Sequence, residues 1–189
     1  MKRFVWVAAV VAALALLAAG GLFGALKLEE RNDFCAACHT EPETAYVART
    51  MQGAPSDLAS MHVASHAVRC IDCHSGVGTA GRIAGLRQGA LDLAAYLSGA
   101  YRRPAVTTSP LADANCVRCH DRIFESRNLR NHYHYYLLNW QAKEPGRAAR
   151  CADCHTSHTQ GPSRTLKYAV DTRLNPICAA CHTFSGIRS

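Results

Sequence analysis

The longest apolar run of the chain lies at its N-terminus. No charged side chain occurs among the 23 residues from Phe4 to Leu26, which follow the basic pair Lys2-Arg3. As a helix this run would extend about 34 Å, and the hydrocarbon core of a bilayer is about 30 Å thick. The pattern therefore predicts a membrane anchor over residues 1–29, with residues 30–189 forming a separate domain outside the bilayer.

Basic residues that precede an apolar run keep the N-terminus on the cytoplasmic side of a membrane. We therefore expect a single-pass protein of the bacterial cytoplasmic membrane, with its remaining domain in the periplasm. The small residues Ala18-Ala19-Gly20-Gly21 leave a cleaved signal peptide as an alternative. We favour the uncleaved anchor, because the apolar region of a signal peptide usually spans only about 7–15 residues.

Two later segments show helical patterning. Between residues 79 and 100, apolar residues recur at three- and four-residue steps and form one stripe, namely Ile83, Leu86, Ala90, Leu93 and Leu97. A second candidate helix, residues 128–143, is rich in aromatic side chains and stops before Pro145-Gly146. The rest of the chain lacks such periodicity, so we expect a mainly α protein with short helices and long loops.

All ten cysteines belong to five Cys-x-x-Cys-His motifs. This is the attachment signature of c-type haem, in which two cysteines form thioether bonds and the histidine binds the iron as proximal ligand. The cysteine pairs are Cys35 and Cys38, Cys70 and Cys73, Cys116 and Cys119, Cys151 and Cys154, and Cys178 and Cys181. The motif histidines are His39, His74, His120, His155 and His182.

Zinc knuckles and disulfides are the alternatives for paired cysteines. Neither requires a histidine directly after the second cysteine, which all five motifs have, so we expect five covalently bound c-type haems. About 30 residues per haem are too few to enclose each one in a polypeptide core. The haems themselves, closely stacked, are therefore expected to form the core of a compact domain.

The spacing of the motifs indicates a duplication. Successive first cysteines are 35, 46, 35 and 27 residues apart, so the equal spacings pair motif one with two and motif three with four. The pairs span residues 35–75 and 116–156, with residues 79–100 as a linking helix. The fifth motif, residues 178–182, stands alone.

Five histidines lie outside the motifs and equal the number of haems, which suggests that each binds one iron as distal ligand. They are His62, His66, His132, His134 and His158. His62 and His66 would share one side of a helix. His132 and His134 would diverge, and they suit either two different haems or one iron ligand and one partner for a propionate. Met51 and Met61 are spare ligand candidates, most plausibly for the first haem, although core packing is the ordinary role of methionine.

The net charge of +7 would ordinarily suggest an acidic partner. Haem propionates change this inference, because five oxidised haems add about −5 and bring the protein close to neutrality. We therefore expect no nucleic-acid partner.

Taken together, the N-terminal anchor, the nearby Phe34-Cys35-Ala-Ala-Cys38-His39 and the paired motifs through His155 resemble the NapC/NirT family of membrane-anchored multihaem cytochromes c. The resemblance implies that electrons enter from membrane quinol at the first haem and leave to a periplasmic reductase or soluble cytochrome. The family core has four haems and this chain five. Glu41 stands where some members have a methionine ligand.

The C-terminal part, from Arg150 through His182, also resembles small soluble pentahaem carriers. Three functions follow: a quinol-oxidising electron conduit, which we favour, an electron carrier between proteins without a quinol site, and a small reductase. For the first, Asp92 on the linking helix is a candidate proton acceptor if that helix lies beside the membrane. Otherwise this helix only joins the two haem pairs.

Overall fold

The computed structural model describes residues 2–38, 41–104, 110–160, 168–169 and 171–183. It is mostly helical, and the described part contains no strand, only an isolated antiparallel bridge between His155 and Ala169. The helices are α1 (Lys2–Glu29), α2 (Cys35–Cys38), α3 (Glu43–Met51), α4 (Leu58–His66), α5 (Cys70–His74), α6 (Gly78–Leu97), α7 (Asp113–His120), α8 (His132–Lys143), α9 (Cys151–Cys154) and α10 (Asp171–His182).

The apolar N-terminal run forms one helix, α1, which is long and apolar enough to span a membrane. None of its residues is buried against the rest of the protein. In its last turn Lys27 forms a 3.1 Å ion pair with Glu30, and just beyond the helix Arg31 forms one of 2.6 Å with Asp33. The polar segment therefore begins directly where the apolar helix ends.

The attachment motifs coincide with helices, and the first two pairs repeat one local arrangement. The backbone N–H of Cys70 donates to the Asn32 side chain at 2.9 Å, and that of Cys151 donates to Asp113 at the same distance. Asn32 and Asp113 each lie three residues before the first cysteine of motif one or three. The two motif pairs, which the spacing relates to each other, therefore also contain the same hydrogen bond.

The repeat extends to the start of the second helix in each pair. The Asp72 carboxylate accepts the backbone N–H of Arg69 at 2.8 Å, and Asp153 accepts that of Arg150 at 2.7 Å. Both aspartates occupy the third position of their helices, where a carboxylate satisfies an N–H group that has no partner within the helix.

Few apolar side chains of the described residues are buried. They are Val47, Trp140, Ala149, Tyr168 and Ala169. The chain exposes 13304 Å², whereas a compact protein of its mass exposes about 8,900 Å². The exposed helix α1 accounts for part of this excess. Within the described residues the hydrophobic core is small, with Trp140 and Ala149 packed against partly buried residues of α8 and α10 such as Leu137 and Ile177.

The two patterned segments outside the anchor form α6 and α8. Helix α6 covers Gly78–Leu97, close to the range that the apolar stripe predicts. Helix α8 begins at His132, four residues later than expected, because two asparagine side chains hold a turn before it. Asn128 Oδ1 accepts a backbone N–H group of this turn, and the Asn131 side-chain amide donates to a backbone carbonyl. This turn separates His132 from the preceding 3₁₀ helix, Asp121–Phe124.

Candidate haem-binding sites

Four motif histidines each face a histidine from outside the motifs. The ring centroids of His74 and His158 are 6.2 Å apart, with an angle of 14° between the ring planes. The three other facing pairs each have a centroid separation of 6.1 Å: His120 with His62, His155 with His134, and His182 with His132. Each pair joins residues from different helices or loops.

This separation suits one metal ion between two imidazoles. A metal–nitrogen bond is about 2.0 Å long, and the centre of an imidazole ring lies about 1.1 Å behind its nitrogen. Two histidines that bind one iron from opposite sides therefore have centroids about 6.2 Å apart. Haem supplies four equatorial nitrogens and leaves two axial positions for protein ligands, so the paired histidines fit a haem iron.

The distal candidates are held by hydrogen bonds from the ring nitrogen that would face away from the iron. His62 Nδ1 donates to the Leu58 carbonyl at 2.9 Å, and His132 Nδ1 donates to the Leu129 carbonyl at 2.9 Å. His134 Nδ1 donates to Asn131 Oδ1 at 2.8 Å. A proton fixed on Nδ1 leaves the Nε2 lone pair free, which is the usual arrangement of a metal-binding histidine.

His158 is held differently, by an aromatic ring and by its own backbone. The Tyr46 ring stacks on the His158 ring at a centroid distance of 4.1 Å. Arg49 Nη2 donates to the His158 carbonyl at 3.0 Å, and the Arg49 guanidinium also forms a 2.7 Å ion pair with Asp57. Helix α3 therefore orients His158 through two side chains one helical turn apart.

Two further properties of His158 suit a metal ligand. Its Nδ1 is buried and has no hydrogen-bond partner among the described residues. Burial, with a smaller contribution from the neighbouring His74, lowers the pKa of His158 to about 4. The ring is therefore neutral at pH 7, and the neutral imidazole is the form that binds a metal.

The buried ion pair between Arg49 and Asp57 also supports a second distal candidate, His62. The Asp57 side chain is 1% exposed and accepts the backbone N–H of Ser60 at 2.8 Å, which caps helix α4. Helix α4 carries His62, whose ring faces His120. The Asp57 carboxylate thus caps the helix that carries His62. It also holds Arg49, which in turn binds the backbone of His158.

The motif thiols form a continuous series along the protein. The Cys35 thiol interacts with that of Cys70, and the Cys116 thiol with that of Cys151, so the thiols of each predicted pair lie together. Burial and then the nearby Cys116 raise the pKa of Cys73, which links the first pair to the second.

The fifth motif continues the series. Burial, Asp153 and then Cys178 raise the pKa of Cys154 to about 11, so the Cys154 and Cys178 thiols are near each other. The order of the attachment motifs in space therefore follows their order in sequence.

The zinc and disulfide alternatives find no support in the described residues. The nine cysteines whose side chains the structure describes are all free. Within the same residues, no group of three or more His, Cys, Asp or Glu side chains is placed to hold a metal ion. A structural zinc needs four such ligands, whereas a c-type haem needs two cysteines and an axial pair.

The first motif is the one that the structure leaves incomplete. His39 and the side chain of Cys38 lie outside the described residues. His66 ends helix α4 and is exposed, and its ring is 6.2 Å from that of His62, as expected for residues one helical turn apart. Met61 Sδ accepts a hydrogen bond from Ser65 at 3.1 Å, and Met51 is 67% exposed. These three residues remain candidates for the first haem.

A cavity of about 420 Å³ lies where the end of α1 meets α5 and α6. Phe23 and Leu26 provide its apolar wall, and Arg69, Asp72 and Arg82 belong to its polar wall. Glu30 also lines it. The cavity therefore has one face formed by the apolar helix α1 and one face that includes ion-paired side chains.

Asp92, the proton-acceptor candidate, is not among the residues that line this cavity. It lies on α6 and is partly buried, and it accepts a hydrogen bond from Gln88 at 2.9 Å. The two carboxylates that do line the cavity, Glu30 and Asp72, carry no motif that would have identified them in the sequence.

Sequence reasoning also missed the residues that position the histidines. Tyr46 and Arg49 lie on a helix between two motifs, and Asn131 precedes α8, without any local pattern that marks them as ligand supports. Asn32 and Asp113 did carry a signal, since both precede an odd-numbered motif by three residues. Comparisons with protein-family models, with curated proteins and with solved structures found no match to this chain.

Proposed function

We propose that this chain is a membrane-anchored electron-transfer cytochrome with five c-type haems, which takes electrons from membrane quinol and passes them to a periplasmic reductase or soluble cytochrome. One observation carries the proposal: four motif histidines each face a non-motif histidine at 6.1–6.2 Å. Zinc knuckles and redox thiols need no such pairs.

The residues that would hold the haems follow from these pairs. The ten motif cysteines would form the thioether bonds, and the axial pairs would be His74 and His158, His120 and His62, His155 and His134, and His182 and His132. The first haem would use His39 with His66, Met51 or Met61. When bound, the haems supply one-electron transfer.

Axial pairing argues for electron transfer over catalysis by the protein alone. Two histidines on one iron leave no open coordination position for a substrate. Four of the five motifs have such a pair within the described residues. A small reductase would need an open position, and only the first motif is without a described pair.

The membrane end of the molecule favours quinol as the electron donor. Only Lys27 to Phe34 separate the apolar helix from Cys35, so the first attachment site lies close to the bilayer surface. The cavity beside α1 has a volume within the usual range for small-molecule sites, about 300–1,000 Å³. Its apolar side would receive a quinol ring from the lipid phase, and its polar side offers hydrogen-bonding groups.

The alternative is a pentahaem carrier between protein partners, without a quinol site. Cys178 and His182 of the last motif are exposed, which suits electron exchange with a soluble partner in either function. The two functions differ only at the membrane end. They are separated by testing whether quinol reduces the protein directly.

Stopped-flow reduction of the full-length holoprotein in detergent by a menaquinol analogue tests the proposal. Leu26→Trp should narrow the cavity and slow reduction by quinol several-fold, while reduction by dithionite stays unchanged. The matched variant Leu17→Trp, on an exposed part of α1, should behave like the wild type. If quinol does not reduce the wild-type protein but a reduced cytochrome does, the chain is a carrier.

A further inference from the structure

Helix α6 turns a row of glycines toward the rest of the protein. A Cβ atom added at Gly81 would collide with the backbone of Gly76, and one added at Gly85 would lie 3.2 Å from Ser75 Oγ. At Gly89 it would lie 3.3 Å from Glu29 Oε1. These glycines recur every four residues, so they form one face of the helix and allow its backbone to approach closely.

The opposite face of α6 is apolar and exposed. Ile83, Leu91 and Leu97 are 61%, 50% and 75% exposed, respectively. At 100° per residue, the stripe through Ile83, Ala90 and Leu97 lies roughly opposite the glycine row. A surface helix of a water-soluble protein normally has the reverse arrangement, with its apolar stripe facing the core.

The charges of α6 follow the same inverted pattern. Arg82 lies on the inward side and forms an ion pair with Glu29, and Asp92 lies on that side next to Gln88. Arg87 is the single charged residue within Gly78–Leu97 that lies on the outward side. The helix therefore directs most of its polar groups toward the protein and most of its large apolar groups away from it.

The position of α6 relative to α1 indicates what covers this face. Glu29, which pairs with Arg82, is the last residue of the membrane-spanning candidate helix. Phe23 and Leu26 of α1 share the walls of one cavity with Gly78 and Arg82 of α6. The end of α1 therefore contacts α6, which places α6 near the level at which α1 would leave a bilayer.

We propose that the outward face of α6 lies in the periplasmic surface of the membrane, with its leucines and isoleucine among the lipid acyl chains. The inference rests on the membrane anchoring in the proposed function. A helix with one apolar face binds a bilayer in the plane of the interface, and an arginine within such a face can extend its long side chain to the lipid phosphates. Arg87 is placed for that contact.

A second membrane contact constrains the orientation of the haem domain. A single spanning helix leaves the domain free to rotate about the helix axis and to tilt on its short connection. Contact through both α1 and α6 removes this freedom and holds the cavity beside α1 at the level of the lipid headgroups. The domain would then present the same side to the quinol pool at all times.

Lipid photolabelling of the full-length holoprotein tests this inference. The protein is reconstituted into phosphatidylcholine–phosphatidylglycerol vesicles that contain a phospholipid with a diazirine in its acyl chain, illuminated, digested with trypsin and analysed by mass spectrometry. We expect label in the peptides of α1 and in residues 83–87 and 88–102. The α8 peptide, which carries the exposed Leu138, serves as the unlabelled reference.

The outcomes separate this inference from the proposed function. Label in α1 with no more label in α6 than in α8 overturns the inference and leaves the anchor intact. No label in α1 overturns the proposed anchoring and the inference together.

Charged substitutions provide a matched control. Leu97→Glu, on the outward face, should reduce the lipid label in residues 88–102 at least threefold, because a carboxylate is costly among acyl chains. Leu138→Glu, on the reference helix, should leave it unchanged. Leu97 is 75% exposed, so its replacement should not impair folding, and unchanged haem spectra verify this. Unchanged labelling of the Leu97→Glu protein contradicts the inference.

Discussion

Tyr46 and His158, which are far apart in sequence, stack with their ring centroids 4.1 Å apart and only 3° between their planes. Tyr46 lies on α3 and His158 in the loop after α9. The His158 ring also lies 6.2 Å from that of His74. The stack therefore helps to orient a ring whose buried Nδ1 has no hydrogen-bond partner among the described residues.

Replacing Tyr46 tests this relationship. In Tyr46→Leu, water should reach His158 and accept a hydrogen bond from Nδ1–H, which makes the imidazole a stronger electron donor to the iron and stabilises ferric iron. We expect the reduction potential of one haem in five to fall, as measured by a spectroelectrochemical titration. Tyr135→Leu, at an exposed tyrosine of α8, should leave the titration curve unchanged. A shift of several haems at once would contradict a local effect.

His62 and His66 are close on α4 but should differ in function. The His62 ring faces His120, so His62→Ala should convert one haem in five from low spin to high spin. The electron paramagnetic resonance and visible spectra report this change. His66→Ala should leave the haem of His120 unchanged and should alter only the first haem if His66 is its ligand. Equal loss of the same haem in both variants would rule out the assignment of His62.

The buried ion pair of Arg49 and Asp57 should contribute far more to the free energy of unfolding than an exposed ion pair does. Asp57→Ala leaves the Arg49 guanidinium buried without its partner and removes the cap of α4, so we expect a loss of about 3–5 kcal/mol in the free energy of unfolding. Asp33→Ala removes an ion pair of similar length in which both side chains are about half exposed, and should change the free energy of unfolding far less, because water already screens that pair.

Denaturant unfolding of the holoprotein, followed by circular dichroism, measures both variants. Because Asp57 also supports His62 and His158, its loss should in addition perturb the spectra of the second and third haems. Similar losses of stability in the two variants would show that the buried pair has no special role.

Acid should remove the contribution of the Asp72 carboxylate to the stability of the fold. Its hydrogen bond with Arg69 holds the pKa of Asp72 below its usual range, although partial burial acts in the opposite direction. A carboxylate with a lowered pKa stabilises the fold above its unfolded pKa of about 4, and the stabilisation is lost as the pH falls through the folded pKa.

We therefore expect Asp72→Asn to have a lower melting temperature than the wild type at pH 7. The difference should shrink below about pH 4 and vanish in stronger acid, where both side chains are uncharged. Thermal melts between pH 2 and pH 7 measure it. A difference that stays constant over this range would mean that the ion pair is not its cause.

The sequence by itself determined the features that depend on local order. The apolar run became α1, the stripe from Ile83 to Leu97 became α6, and the equal motif spacing corresponds to matching hydrogen bonds at Asn32 and Asp113. Helix length, periodicity and motif spacing are properties of neighbouring residues, so they can be read without coordinates. The divergence of His132 and His134 also follows from helix geometry alone. In the structure the His132 ring faces His182 and the His134 ring faces His155.

The tertiary structure alone decided which histidines face one another. Nothing local distinguishes His62, which faces a motif histidine, from His66 one turn later, because the difference depends on where α7 packs. The same holds for Tyr46 and Arg49, whose role depends on a loop more than a hundred residues away. The stripe of α6 predicted a helix, but an apolar stripe does not reveal whether it faces inward. That was decided by three glycines, which bring the opposite face against the protein and leave the leucines exposed.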